Sequence, residues 1–168
     1  ANRQRLIEKL EYIEQKVDCF VIDTGAGISR NVVRFLLCAD EVMVVCTTEP
    51  TSIADAYAMI KVLSRHEEVA TVKLLVNMVD SSKQAAAVAD SIVENCRQFL
   101  GFAVEKAGYV LRDPKLVEAV RRREPFVLSQ PGCPASRSLR KVVEDSLAGR
   151  QASEEIGFFK RFLSVFAR

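Results

Sequence analysis

The stretch Val17-Asp18-Cys19-Phe20-Val21-Ile22-Asp23-Thr24-Gly25-Ala26-Gly27 decides how this chain is read. An apolar run leads straight into an aspartate, and a Gly-Ala-Gly turn follows. A continuous apolar run of this length predicts a strand over 18–23 buried on both faces, as in a parallel sheet under helices. An acid at the carboxyl end of such a strand sits on the edge where open α/β sheets bind ligands. Glycines just beyond it let backbone N–H groups approach an anion closely. The residues equally allow a plainer reading, in which Asp23 and Gly25 build a tight turn before a helix.

The chain on either side alternates helix and strand. Leu6, Ile7, Leu10 and Ile13 predict a helix over 2–16. Ser29 is placed to cap a helix through Cys38. Glu41–Cys46 is a second apolar strand, and Thr51 or Ser52 can cap the helix after it, with Ile53, Ala56, Tyr57, Ile60 and Leu63 on its buried face. A third strand, Val72–Val76, ends in Asn77. Asp80-Ser81-Ser82 opens a long helix with Ala85, Val88, Ile92, Cys96 and Phe99 on one face, and Gly101 marks its end. A fourth strand, Ala107–Leu111, runs into Arg112-Asp113-Pro114, where aspartate at N-cap and proline at N1 start a helix with Leu116, Val117 and Val120 inward. A Pro- and Gly-containing loop leads to a last core helix near 135–147. Crossovers of this kind predict an α/β fold, a mostly parallel sheet with helices on both faces.

Composition narrows the function classes. The chain has 168 residues and a net charge of +2, so charge alone implies no general attraction to nucleic acid or membrane. Its 5 cysteines include no Cys-x-x-Cys pair, and there is 1 histidine, which argues against a zinc site and for reduced cysteines in a cytosolic protein. No apolar run is long enough to span a bilayer. The chain opens without methionine in a helical pattern, from which a fragment is expected.

If all strands run one way, the residues past their carboxyl ends share one rim: Asp23 with Gly25 and Gly27, then Thr47 and Thr48, then Asn77, then Arg112 and Asp113. An asparagine there presents a donor and an acceptor together, which matches the edge of an adenine. Taken singly, Asn77 is as readily a turn residue and Asp113 a helix cap; their joint placement points to a nucleotide site.

Asp23-Thr24-Gly25-Ala26-Gly27-Ile28-Ser29, Thr48-Glu49-Pro50-Thr51-Ser52-Ile53-Ala54-Asp55-Ala56-Tyr57, Leu75-Val76-Asn77-Met78 and Asp113-Pro114-Lys115-Leu116-Val117-Glu118-Ala119-Val120 resemble, in order, segments of the MinD/ParA family of deviant P-loop ATPases. The likeness covers most of residues 5–148 and is strongest to the branch that sets flagellar number and placement. It implies a P-loop NTPase fold truncated at its N-terminus, with ATP and Mg²⁺ as cofactors. Asp23 would hold Mg²⁺ through water, Gly27 would lie near the γ-phosphate with Gly25 beside it, and Asn77, Arg112 and Asp113 would surround the base. It further implies a homodimer formed on ATP. The implied partners are flagellar assembly proteins, such as the SRP-type GTPase FlhF, and switch-complex proteins. The chain departs from the family in having no Gly-x-x-x-x-Gly-Lys-Ser/Thr loop, so the expectation is the carboxyl-terminal part of an ATPase, inactive alone.

The expected organisation is an ATPase part over 1–148, a linker over 149–153 and an amphipathic helix over 154–168. On that helix Ile156, Phe158, Phe159, Phe162, Leu163, Val165 and Phe166 share one half, and Lys160, Arg161 and Arg168 lie on the other. This is a membrane-surface pattern, and MinD-type proteins end in a similar helix. The implied location is cytoplasmic, on the inner face of the cell membrane. Docking of this helix onto the core or a partner's groove is the other reading. The basic cluster Arg121-Arg122-Arg123 with Arg137, Arg140 and Lys141 has no aromatic interleaving, and nucleic acid is not the expected partner. Two alternatives to a flagellar ATPase switch stand: a division-site or cargo-positioning ATPase of the same family, and a non-enzymatic interaction module that has lost nucleotide binding.

Overall fold

The structure is a computed structural model, which describes residues 12, 16–66, 69, 71–148, 158, 161 and 162. Its centre is a parallel three-stranded sheet of order β1-β2-β3, made of β1 (Glu41–Cys46), β2 (Thr71–Val79) and β3 (Glu105–Leu111). The helices are α1 (Arg30–Cys38), α2 (Pro50–Leu63), α3 (Ser82–Asn95), α4 (Pro114–Arg122), α5 (Phe126–Ser129) and α6 (Pro134–Ala148).

The burial pattern explains the layers. In β2 the consecutive residues Leu74, Leu75 and Val76 are all buried, which requires cover on both faces. On one face Leu74 and Val76 join Val42, Val44 and Cys46 of β1 and pack with Ile60 and Leu63 of α2 and Ala85, Ala89 and Ile92 of α3. On the other face Leu75 joins Ala107 and Val110 of β3 and packs with Ala135 and Val142 of α6. The mostly parallel sheet between helices is therefore as the alternating pattern predicts.

Caps fall close to expectation. Ser29 accepts from Val32 N–H at 3.4 Å at the start of α1, and Ser81 accepts from Gln84 N–H at 3.2 Å at the start of α3. Before α2 neither Thr51 nor Ser52 is the cap: Glu49 holds that position without a side-chain bond, and Pro50 starts the helix. Ser52 instead accepts from Thr47 N–H at 2.9 Å, tying the end of β1 to the first turn of α2. After α3 the backbone widens into a π-helical turn, Cys96–Leu100, closed by Gly101 at φ 60°. That turn keeps Cys96 buried but rotates Phe99 outward, to 66% exposed, against the straight-helix expectation. Val117 and Val120 likewise face out; α4 is covered only along the line of Leu116 and Ala119.

The predicted strand over 18–23 does not form. Residues 19–25 have no regular structure, and Phe20, Val21 and Ile22 are 38%, 90% and 41% exposed. A strand must pair its N–H and C=O groups with a neighbour, and the described sheet gives this stretch none. The helix predicted over 2–16 lies almost wholly outside the described residues, as does the linker over 149–153.

Candidate functional site

The carboxyl ends of the three strands lie side by side. Cys46 is in register with Val76, and Val79 with Leu111, so Thr47, Asn77 and Arg112 come to one rim. At the end of β1, Thr47 Oγ1 accepts from Glu49 N–H at 3.3 Å, which folds the chain over before Pro50.

Asn77 lies inside β2 rather than beyond it. The register slips between Val76 and Val79, and Met78 takes φ 58°, the left-handed region that a side chain other than glycine rarely adopts. Asn77 Oδ1 accepts from the Met78 N–H at 2.8 Å, which supports that bend. Its amide nitrogen has no hydrogen-bond partner among the described residues, so a donor is left at the rim. Met78, 47% exposed, stands beside it. Nothing in the apolar pattern of this strand signals the bend.

The third strand end is braced from both sides. Arg112 N–H donates to Val79 C=O at 2.8 Å, and its guanidinium pairs with Asp80 at 3.4 Å. Asp113 is buried, with 7% of its surface exposed. Its Oδ1 accepts from Lys115 N–H at 3.0 Å, and its Oδ2 accepts from Ala135 N–H at 3.2 Å. One carboxylate thus ties together the first turns of α4 and α6. Burial pushes its pKa up, but the N–H groups of Ala135 and Lys115 and the Cys133 thiol outweigh that and hold it below the usual carboxylate value. Cys133 Sγ lies 3.2 Å from Ser136 Oγ, extending the network. Asp113 is therefore the cap its sequence allows; its carboxylate shapes the loop that Arg112 occupies.

Asp23, Gly25 and Gly27 lie on an exposed loop before α1, with Gly27 at φ 93°. Among the described residues no cluster of three His, Cys, Asp or Glu side chains could hold a metal. Mg²⁺ beside a nucleotide needs only one or two carboxylates plus phosphate oxygens, so a lone Asp23 is compatible with that role. The residues present fit the base side of a nucleotide, through the Asn77 donor and the rim around it. The sequence holds no Gly-x-x-x-x-Gly-Lys-Ser/Thr loop to cradle its phosphates.

Of the six candidate membrane residues, Ile156, Phe159, Leu163 and Phe166 lie outside the described residues. The other two are packed on the protein. Phe158 is buried and stacks on Phe162 with ring centroids 5.9 Å apart, and Phe162 meets Phe35 of α1 at 5.1 Å. Between them Arg161 Nε donates to Cys38 C=O at 3.0 Å, and its guanidinium pairs with Asp40.

The fold has close parallels. MinD of Aquifex aeolicus superimposes with a TM-score of 0.67 at 25% identity over 89% of this chain and 64% of that one. The ParA-family ATPase of Chlorobium tepidum gives 0.62 over 86% of this chain and 55% of that one, at 18% identity, a likeness of fold alone. No family model matches. In sequence, the antiactivator FleN of Pseudomonas aeruginosa is 32% identical over 139 residues, 83% of this chain and 50% of FleN. The flagellum site-determining protein YlxH of Helicobacter pylori is 30% identical over 91% of this chain and 54% of its own length. The chain belongs to the MinD/ParA family of P-loop ATPases. Within it the likeness is to the flagellar regulators of the FleN/FlhG type. The chain spans about half the length of these curated relatives.

Proposed function

We propose that the chain is the carboxyl-terminal part of an ATP-dependent switch that regulates flagellar number or placement. The observation that carries this is the 32% identity to FleN over most of the chain, joined to a strand-end rim with a free asparagine donor. In this reading Asn77 hydrogen-bonds the adenine, and the loop of Arg112 and Asp113 flanks it. Asp23 holds Mg²⁺ through water, with Gly25 and Gly27 near the γ-phosphate. The phosphate-binding loop belongs to a part of the protein that this chain does not contain. ATP drives a homodimer, and hydrolysis releases it. FlhF and switch-complex proteins are the partners in this reading.

The carboxyl-terminal segment is the membrane contact. Phe158 and Phe162 alternate between two apolar surroundings, the protein surface that includes Phe35 of α1 and the lipid interface. A single short helix binds lipid weakly, so a dimer presenting two is the attached form.

The test uses the full-length protein. Asn77→Ala should weaken ATP binding about tenfold, the loss of a hydrogen bond to a base held away from water. Asp23→Ala should leave binding largely intact and abolish hydrolysis. Turnover unchanged in Asp23→Ala would remove that residue from the metal site. A full-length protein that binds no ATP by calorimetry would reduce the chain to an interaction module. Phe159→Glu should prevent liposome binding in the ATP state.

A further inference from the structure

β3 is an edge strand, paired with β2 on one side only. The outer edge of β3 borders a cavity of about 410 Å³ that is also lined by Arg137, Ser138, Lys141 and Asp145 of α6.

The backbone on that edge is polarised for pairing. Arg112 N–H donates to Val79 C=O, towards β2. In a parallel strand successive residues point their N–H and C=O to opposite sides, so Leu111 faces outward. Its N–H indeed donates to Ser138 Oγ at 3.2 Å, across the cavity. The same alternation turns the N–H and C=O of Tyr109 outward, together with the C=O of Leu111. The start of the strand is blunted as exposed edges usually are: Lys106 is drawn to Asp90, and the register slips where Ala107 and Gly108 oppose one step of β2. The Tyr109–Leu111 segment carries neither device.

The cavity's charge is selective. Arg137 and Lys141 line it with Asp145, and Lys106 is already paired with Asp90. Lys141 is exposed and makes no ion pair among the described residues.

We propose that the β3–α6 cleft is a docking site for an acidic, extended peptide segment of a protein partner. The segment adds as a strand at the N–H and C=O of Tyr109 and the C=O of Leu111, whose N–H is held by Ser138, and its carboxylates meet Lys141 and Arg137. Backbone pairing supplies the affinity, and the cations select acidic side chains. None of its residues is among the proposed nucleotide contacts, although Leu111 adjoins Arg112 of the rim.

The test is fluorescence anisotropy on the full-length protein with a labelled ten-residue peptide of alternating glutamate and valine. Saturable micromolar binding is expected. Lys141→Glu, a surface change, should weaken it about fivefold or more. The same peptide N-methylated at every second residue cannot pair with a strand and should not bind. The lysine–valine counterpart should not bind either. No saturable binding of the glutamate–valine peptide overturns the proposal. So does equal binding of the N-methylated or the lysine peptide, or ready displacement of the probe by a short DNA duplex.

Discussion

Asp113 shows how one residue type can satisfy two readings of a sequence. Aspartate before proline announces a helix start, and it sits at a strand end where ligands bind; the structure commits both of its oxygens to backbone N–H groups. Its folded pKa is lowered, so it adds stability above its unfolded pKa, near 4, and that contribution fades as pH falls through the folded value. Asp113→Asn should therefore cost about 1–3 kcal/mol at neutral pH and flatten the acid limb of the stability curve, read by urea unfolding across pH. Met78 makes the opposite case. Its left-handed backbone is strained, and its exposed side chain adds little burial, so Met78→Gly should raise stability by about 1 kcal/mol in the same measurement. The cysteines sort by burial: Cys38, Cys46, Cys96 and Cys133 are enclosed and Cys19 is exposed. Burial pushes the thiols of Cys38, Cys46 and Cys96 up, which keeps them protonated. Cys19 should react with a thiol reagent in the native protein well before those four.

At the scale of elements, most of the architecture was legible. β1 has the bounds its apolar run implies, and α1, α3 and α4 start at the capping side chains their residues supply, because these signals act over a few neighbouring residues. The misplaced features are those set by distant partners. Val17–Gly27 is the most apolar-looking candidate strand before α1, yet strand formation depends on a neighbour to bond with. The outward turn of Phe99 comes from a single widened helical turn. The close approach of β3 to α6 is another such feature. Gly108 has φ 125°, and a Cβ there would stand 2.9 Å from Val142 Cγ2. Gly108→Ala should lower stability by about 2 kcal/mol or more through clash and backbone strain together, and a Val142→Ala partner should recover the part due to the clash. A double-mutant cycle in urea separates the two contributions.

Across the whole molecule Phe162 and Arg161 join the carboxyl-terminal segment to α1, and this contact bears on what Phe158 and Phe162 do. The amphipathic pattern is compatible with lipid or with a protein surface, since both accept an apolar face. With Phe158 buried and Phe162 on Phe35, the described part of the segment is held by the protein. If this same segment binds membrane, the two states compete. The Phe35–Phe162 ring pair is worth about 0.5–1.5 kcal/mol. Phe35→Ala should therefore raise liposome binding of the full-length protein by about twofold to tenfold in co-sedimentation; unchanged binding would mean that the docked segment is not the lipid contact. By itself the sequence determined the alternating parallel fold, the family, the starts of α1, α3 and α4, and the meeting of Thr47, Asn77 and Arg112 at the strand ends. Those depend on hydrophobic period and on capping side chains close in the chain. Only the tertiary structure decided that Asp113 is a clasp between two helices, that Asn77 keeps a donor free on a strained bend, and that the stretch over 19–25 forms no strand of the described sheet. Each of these is settled by groups far apart in sequence, and no local pattern records which of them will meet.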